Sequence, residues 1–213
     1  MSEKKATPAS APKAQTALSI DPKYIGRIAG ILLAICVVAA LLLGVVNQIT
    51  APKIKAIQRE KKEAAMSQVL PADEYVAWTE ELPGDDSVTG LYLANVNGSA
   101  AGWIIEVTAI GSQGPITMMV GVDTSDQLGK VTGVSVISSS ETPNIGTKVV
   151  NDQSVLDRFI GMSLEGGEIT VNAGTNRFDG VSGATVSSRG VTAGVNAALK
   201  AIDELCHEGG LVS

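Results

Sequence analysis

The sequence predicts an α+β protein: a single N-terminal transmembrane helix followed by a domain built on an antiparallel sheet with flanking helices. Three patterns carry that prediction. Residues 28–46 are nineteen consecutive residues without a charge. Four runs between residues 91 and 138 have strand composition and are joined by short turns. Beyond Ser188, the apolar residues Val191, Val195, Ala198, Leu199 and Ile202 fall at helical spacing.

In chain order, residues 1–27 begin as a stretch rich in Ala, Pro, Lys, Ser and Thr, the composition of a disordered tail. Residues 28–46 follow. At about 1.5 Å of rise per residue they come close to spanning the ~30 Å hydrocarbon layer. The competing reading is a secretory signal, whose apolar core is about 7–15 residues and precedes a small-x-small cleavage site. This run is longer, and Val46-Asn47-Gln48-Ile49-Thr50 has no such pattern, so an uncleaved anchor in the lipid bilayer is expected. Lys4, Lys5, Lys13, Lys23 and Arg27 precede it, and Lys53, Lys55, Arg59, Lys61 and Lys62 follow. With cations on both sides, the positive-inside rule gives no orientation.

Residues 47–71 read as a charged helical stalk with Ile54, Ile57, Ala64 and Val69 as scattered apolar positions, stopped by Pro71. Such a stalk would hold the head, residues 72–213, off the bilayer. The head opens with a polar connector containing Pro83-Gly84-Asp85-Asp86. Strands are expected at 91–96, 102–110, 116–122 and 130–138. Asn97-Gly98 reads as a hairpin turn within a loop longer than two residues. In the second strand Trp103, Ile105 and Val107 alternate with Ile104, Glu106 and Thr108. Residues 151–160 read as a short amphipathic helix with Val155, Leu156, Phe159 and Ile160 inward. A strand at 168–172 follows, and the last helix ends near Gly209-Gly210.

Charge and composition exclude several function classes. Residues 1–66 hold ten of the sixteen Lys and Arg residues against four acids, whereas residues 67–213 hold six against eighteen. A head this acidic lacks the basic face that nucleic acid requires. Cys36 and Cys206 form no metal-like pair, and His207 stands alone in the tail. Neither a metal site nor a catalytic residue emerges from this inventory.

The candidate site lies at Asp179-Gly180-Val181-Ser182-Gly183-Ala184-Thr185-Val186-Ser187-Ser188. Residues 182–185 carry no bulk, so another molecule can approach the backbone closely. The helix that starts there offers free N–H groups and the positive end of its dipole, which suits a phosphate. The same residue types also make an ordinary turn and N-cap. What distinguishes the stretch is its residue order, which resembles the flavinylation motif of the covalent FMN-binding domain family. That family includes the G subunit of the Rnf ion-pumping complex and the C subunit of the sodium-pumping quinone reductase. Gly111, Gly114-Pro115-Ile116 and Val120-Gly121-Val122-Asp123 resemble its glycine-containing strand pair. Glu141-Thr142-Pro143-Asn144-Ile145-Gly146 resembles its Glu-Thr-Pro-Gly-Leu-Gly loop. The match covers about residues 90–200.

The resemblance implies FMN joined to Thr185 by a phosphodiester that a dedicated flavin transferase installs. It implies an inside N-terminus and a head on the extracytoplasmic side of the cytoplasmic membrane. It further implies a redox subunit of an Rnf-type complex, with other membrane and redox subunits as partners. That complex moves electrons between reduced ferredoxin and NAD+, coupled to Na+ or H+ transport. Around Thr185 the expected cofactor-binding residues are Ser182, Gly183, Ala184, Ser187, Ser188 and Asp179, with Ser182, Ser187 and Ser188 as hydroxyl donors to the phosphate. Glu141 and Thr142 are expected on the flavin-facing loop, Glu141 to order it. Two positions depart from the pattern. Asn144 replaces a glycine, and Asn tolerates the left-handed conformation. Ser139 stands where many relatives have histidine, so no imidazole role carries over. Two alternatives remain: the corresponding subunit of the sodium-pumping quinone reductase, and a cofactor-free anchored binding or scaffold domain.

Overall fold

Helix α1 is continuous over Pro22–Val69, taking the expected span and stalk into one element. The computed structural model describes residues 22–125 and 129–207. Most of the expected tail, and the helix end expected near Gly209-Gly210, lie outside them. The chain divides into two units, residues 1–53 and 54–213. In the first, Leu32, Leu33, Ile35, Leu41, Leu42 and Leu43 are all exposed. A helix that is apolar all round suits lipid rather than water, and this one is long and apolar enough to cross a membrane.

In the second unit five strands form one antiparallel sheet in sequence order: β1 (Glu74–Ala77), β2 (Val88–Val96), β3 (Ser99–Ile110), β4 (Pro115–Asp123) and β5 (Lys130–Ser139). The meander matches the expected one and adds β1, a short edge strand missed because its four residues show almost no burial pattern. The hairpin between β2 and β3 corrects the expected longer loop. Asn97 and Gly98 form a two-residue turn with φ of 52° and 77°, so β3 begins at Ser99 rather than residue 102. Positive φ at both central residues gives a twist that matches the flanking strands.

Both faces of the sheet are covered, which explains why β3 buries Ile104 as well as Trp103, Ile105 and Val107. Helix α4 (Thr185–His207) lies on one face. There it packs Val191, Val195, Ala198 and Ile202 into a core with Ile105, Val107, Met118 and Val120. The end of α1 covers the other, where Ala65, Met66 and Val69 cluster with Ala94, Ile104 and Met119. The expected stalk therefore ends as part of the domain. Of the scattered apolar positions read in the stalk, Val69 is buried and Ala64 is exposed, while its neighbour Ala65 is buried.

Between β5 and α4 the chain makes α2 (Thr147–Val150), α3 (Gln153–Leu156), a 3-10 turn (Asp157–Phe159), and the parallel pair β6 (Thr170–Val171) and β7 (Arg177–Phe178). The helix expected over 151–160 is thus broken. Asp152 caps α3 by accepting from the Ser154 N–H at 3.0 Å. Val155, Leu156 and Phe159 point inward as expected, but Ile160 lies past the 3-10 turn and is 51% exposed. Phe159 stacks on Phe178 with ring centroids 4.0 Å apart, anchoring the chain just before Asp179.

Candidate functional site

The loop into α4 is held by local turn chemistry. The Ala184 N–H donates to the Val181 carbonyl at 3.0 Å, closing a tight turn in which Gly183 has φ of +80°. A turn with positive φ at its third residue favours glycine. Upstream, the Gly180 N–H donates to Asn172 Oδ1 at 2.9 Å, and Arg158 Nη1 donates to the Asp179 carbonyl at 2.8 Å. The Asp179 carboxylate pairs with Arg177 at 2.9 Å. Asp179 thus ties down the loop entry rather than lining the cleft described next.

Thr185 is the first residue of α4 and is exposed. The Ser188 N–H makes the first helical bond, to the Ala184 carbonyl at 2.9 Å. The N–H groups of Thr185, Val186 and Ser187 precede it and have no acceptor within the helix. No acidic residue of α4 itself occupies this first turn; the one carboxylate that the cleft described next holds against it comes from another segment, through Ser187 Oγ.

A cleft of about 190 Å³ opens beside this helix mouth, lined by Ser112, Glu141, Thr142, Ile145, Gly146 and residues 183–187. The structure therefore brings Glu141, Thr142, Gly183, Ala184, Thr185 and Ser187 together and leaves Ser182, Ser188 and Asp179 off its lining. Ser112, Ile145, Gly146 and Val186 are lining residues that sequence reasoning did not assign. Ile145, Gly146 and Val186 sat inside the quoted motifs; Ser112 carried no signal of its own.

Two expected hydroxyl donors turn inward. Ser187 is 1% exposed, and its Oγ donates to Glu141 Oε2 at 2.7 Å. Ser188 is fully buried, and its Oγ accepts from the Val181 N–H at 3.2 Å. Both hydroxyls brace the loop from below, because the first turn of α4 presents residues 187 and 188 to the domain and 185 and 186 to solvent. Glu141 is 7% exposed, and its other oxygen accepts from the Ser112 N–H at 2.6 Å. Its loop turns through Asn144, whose φ of 62° confirms that asparagine serves in place of glycine. The Asn144 N–H donates to Thr147 Oγ1 at 2.9 Å, and the Thr142 carbonyl accepts from the Ile145 and Thr147 N–H groups.

Elsewhere, burial and then the Asp203 carboxylate push the Cys206 thiol above its ordinary value, which disfavours a thiolate there.

The anchor, the sheet and this helix mouth define a membrane-helix protein with an FMN-binding domain, the family that matches residues 111–200. A second family, the RnfG N-terminal region, matches residues 19–69. The chain is 30% identical over 183 residues to the G subunit of the ion-translocating oxidoreductase complex of Methanosarcina acetivorans, covering 84% of this chain and 95% of that one. It is 28% identical over 207 residues to the G subunit of the Na(+)-translocating ferredoxin:NAD(+) oxidoreductase complex of Acetobacterium woodii, covering 88% and 96%. The chain belongs to the family of G subunits of ion-translocating oxidoreductase complexes, the RnfG family. A looser likeness is to the C subunit of the Na(+)-translocating NADH-quinone reductase of Parabacteroides distasonis, at TM-score 0.47 and 21% identity over 67% of this chain and 83% of that one; the family assignment does not rest on it.

FMN suits the residues present. Three N–H groups without helical partners, a positive dipole end and a glycine turn with open space above it suit a flavin phosphate, and the exposed Thr185 hydroxyl lies beside them.

Proposed function

We propose that this chain is the membrane-anchored flavoprotein electron carrier of an Rnf-type complex, with FMN joined to Thr185 Oγ1 by a phosphodiester. The observation that carries the reading is the exposed Thr185 hydroxyl on the first residue of α4, beside three N–H groups without helical partners. The linked phosphate keeps one negative charge, which those N–H groups and the helix dipole stabilise. When bound, the isoalloxazine supplies the electron chemistry. The chain's own residues position it: Gly183 permits close approach, Glu141 and Thr142 form the opposite wall, and Ser187 and Ser188 hold the loop from beneath. No complete active site is needed on this subunit alone.

In this reading residues 28–46 span the cytoplasmic membrane, and residues 47–71 lead into the FMN-binding domain of residues 72–213, whose sheet the last of them, Ala65, Met66 and Val69, also cover. The head stands on the extracytoplasmic side, where a tethered cofactor is not lost by dilution. A flavin transferase matures it, and sister membrane and redox subunits exchange electrons with it. By analogy with the Acetobacterium woodii relative, the whole complex couples ferredoxin:NAD+ chemistry to ion translocation.

The test is Thr185→Val in a host that contains the transferase. The variant is expected to fold with an unchanged melting temperature and to lose all covalent flavin, read as in-gel fluorescence and as the mass of the peptide containing residue 185. Fluorescence that persists in the variant excludes this attachment site.

A further inference from the structure

The cleft is built around a carboxylate that attachment of a flavin does not by itself require. Glu141 lines it, 7% exposed, with Oε1 accepting from the Ser112 N–H at 2.6 Å and Oε2 from Ser187 Oγ at 2.7 Å. The backbone makes room for those two oxygens. A Cβ on Gly111 would stand 2.0 Å from Oε1, and one on Gly146 would stand 2.1 Å from Oε2. Three separate segments therefore converge on one side chain: the β3–β4 turn, the loop of residues 141–146 and the first turn of α4. The same side chain lines the cleft that Thr185 lines.

The carboxylate is held by one N–H and one O–H, and among the described residues no Lys or Arg shares the lining of this cleft to form an ion pair with it. Charges interact strongly where protein rather than water surrounds them. Reduction adds electrons to a flavin, and a fixed anion beside it opposes that addition. Resting on the reading that Thr185 carries FMN, we infer that Glu141 is a positioning residue with a second role. Its two hydrogen bonds fix the helix mouth, and its negative charge lowers the reduction potential of the flavin held there.

Glu141→Gln separates the two roles. The amide oxygen still accepts from the Ser112 N–H, and the amide nitrogen donates to Ser187 Oγ, so the geometry is kept and the charge removed. Full-length protein is produced with the transferase, purified in detergent and titrated with dithionite while flavin absorbance is followed. The flavin-free Thr185→Val background reports the melting temperature of each substitution. Glu141→Gln is expected to load flavin fully, to leave that melting temperature unchanged and to shift the midpoint potential to a more positive value. Ser187→Ala keeps the charge and is expected not to raise the potential. Ser112→Lys is an independent probe: it adds a cation at an exposed cleft position while the bond to Glu141 comes from the backbone, and it is expected to raise the potential too. The proposal is overturned if Glu141→Gln leaves the potential at the wild-type value, or if Ser187→Ala raises it as much as Glu141→Gln. It is also overturned if folded Glu141→Gln protein takes up no flavin. If Glu141→Gln does not fold, an unchanged potential in Ser112→Lys overturns the proposal, and a raised one supports it because the flavin then senses charge in this cleft. Wild-type protein without an adduct on Thr185 refutes the attachment itself, a result distinct from an adduct whose potential ignores the charge.

Discussion

Two helices cover the two faces of one sheet, and they do so on unequal terms. Helix α4 buries residues along most of its length, from Ser187 to Leu205. The end of α1 buries only Ala65, Met66 and Val69. Each seats closely on glycines. On the α4 face, a Cβ on Gly190 would come within 2.7 Å of the Ile110 carbonyl, and one on Gly194 within 2.9 Å of Met118 Cε. On the α1 face, a Cβ on Gly133 would come within 2.9 Å of Val69 Cα. There the contact is finished by polar groups. Thr132 Oγ1 donates to the Val69 carbonyl at 2.7 Å, occupying an acceptor that a helix end leaves free. Lys62 pairs with Glu106 at 2.6 Å and lies 4.8 Å over the Tyr92 ring. The contrast teaches that α4 is core and site in one element, whereas the end of α1 is a clasp on a sheet whose core lies on the other side.

Substitutions on the two faces should therefore differ in kind. The largest effect is expected for Gly190→Val. The obstacle is backbone, so α4 must move off β3, at a cost of about 3 kcal/mol, and covalent flavin falls with the displaced helix mouth. Chemical unfolding and in-gel fluorescence read both. Next comes Asn196→Ala. The Asn196 amide accepts from the Ile169 N–H and donates to the Ile169 carbonyl, both at 2.9 Å and buried. Its removal strands two buried backbone groups, an expected loss of about 2 kcal/mol, with β6 loosened from α4 in hydrogen exchange. Gly133→Ala should cost about 1 kcal/mol and leave flavin loading at the wild-type level. If it abolishes loading as Gly190→Val does, the division between clasp and core is wrong.

The smallest effect is expected for Lys62→Met, about 0.5 kcal/mol because the pair is partly exposed, and it should shrink further in high salt. Burial pulls the Lys62 ammonium below its ordinary value. The Glu106 hydrogen bond, with Tyr92 and the Glu106 charge, outweighs that and leaves it raised. A raised lysine contributes fully below its unfolded value, and the contribution disappears as pH climbs through the raised one. Wild type and Lys62→Met should accordingly differ least in strongly alkaline buffer, by thermal unfolding.

Much of this was legible in the residues because it depends on near neighbours. Val191, Val195, Ala198, Leu199 and Ile202 announce the buried stripe of α4 by spacing alone, and all five are buried. Asn144 announces a left-handed turn by its short polar side chain. Strand β1 was not legible, since four largely exposed residues carry no alternation. Nor was the burial of Ile104 opposite Ile105, because alternation assumes one wet face and this sheet has none. Ser187 and Ser188 read as donors to a ligand because they follow the motif. Their inward direction depends on which side of α4 meets the sheet.

The amino-acid order by itself determined the anchor, the meander and the hydroxyl at the opening of the last helix. Each follows from a run length, a period or a turn preference expressed within about ten residues. Only the tertiary structure decided that Glu141 joins Ser112 and Ser187, partners 29 and 46 residues away, and that Ala65, Met66 and Val69 close the second face. Those pairings require the chain to return upon itself, and no local pattern records where it will meet.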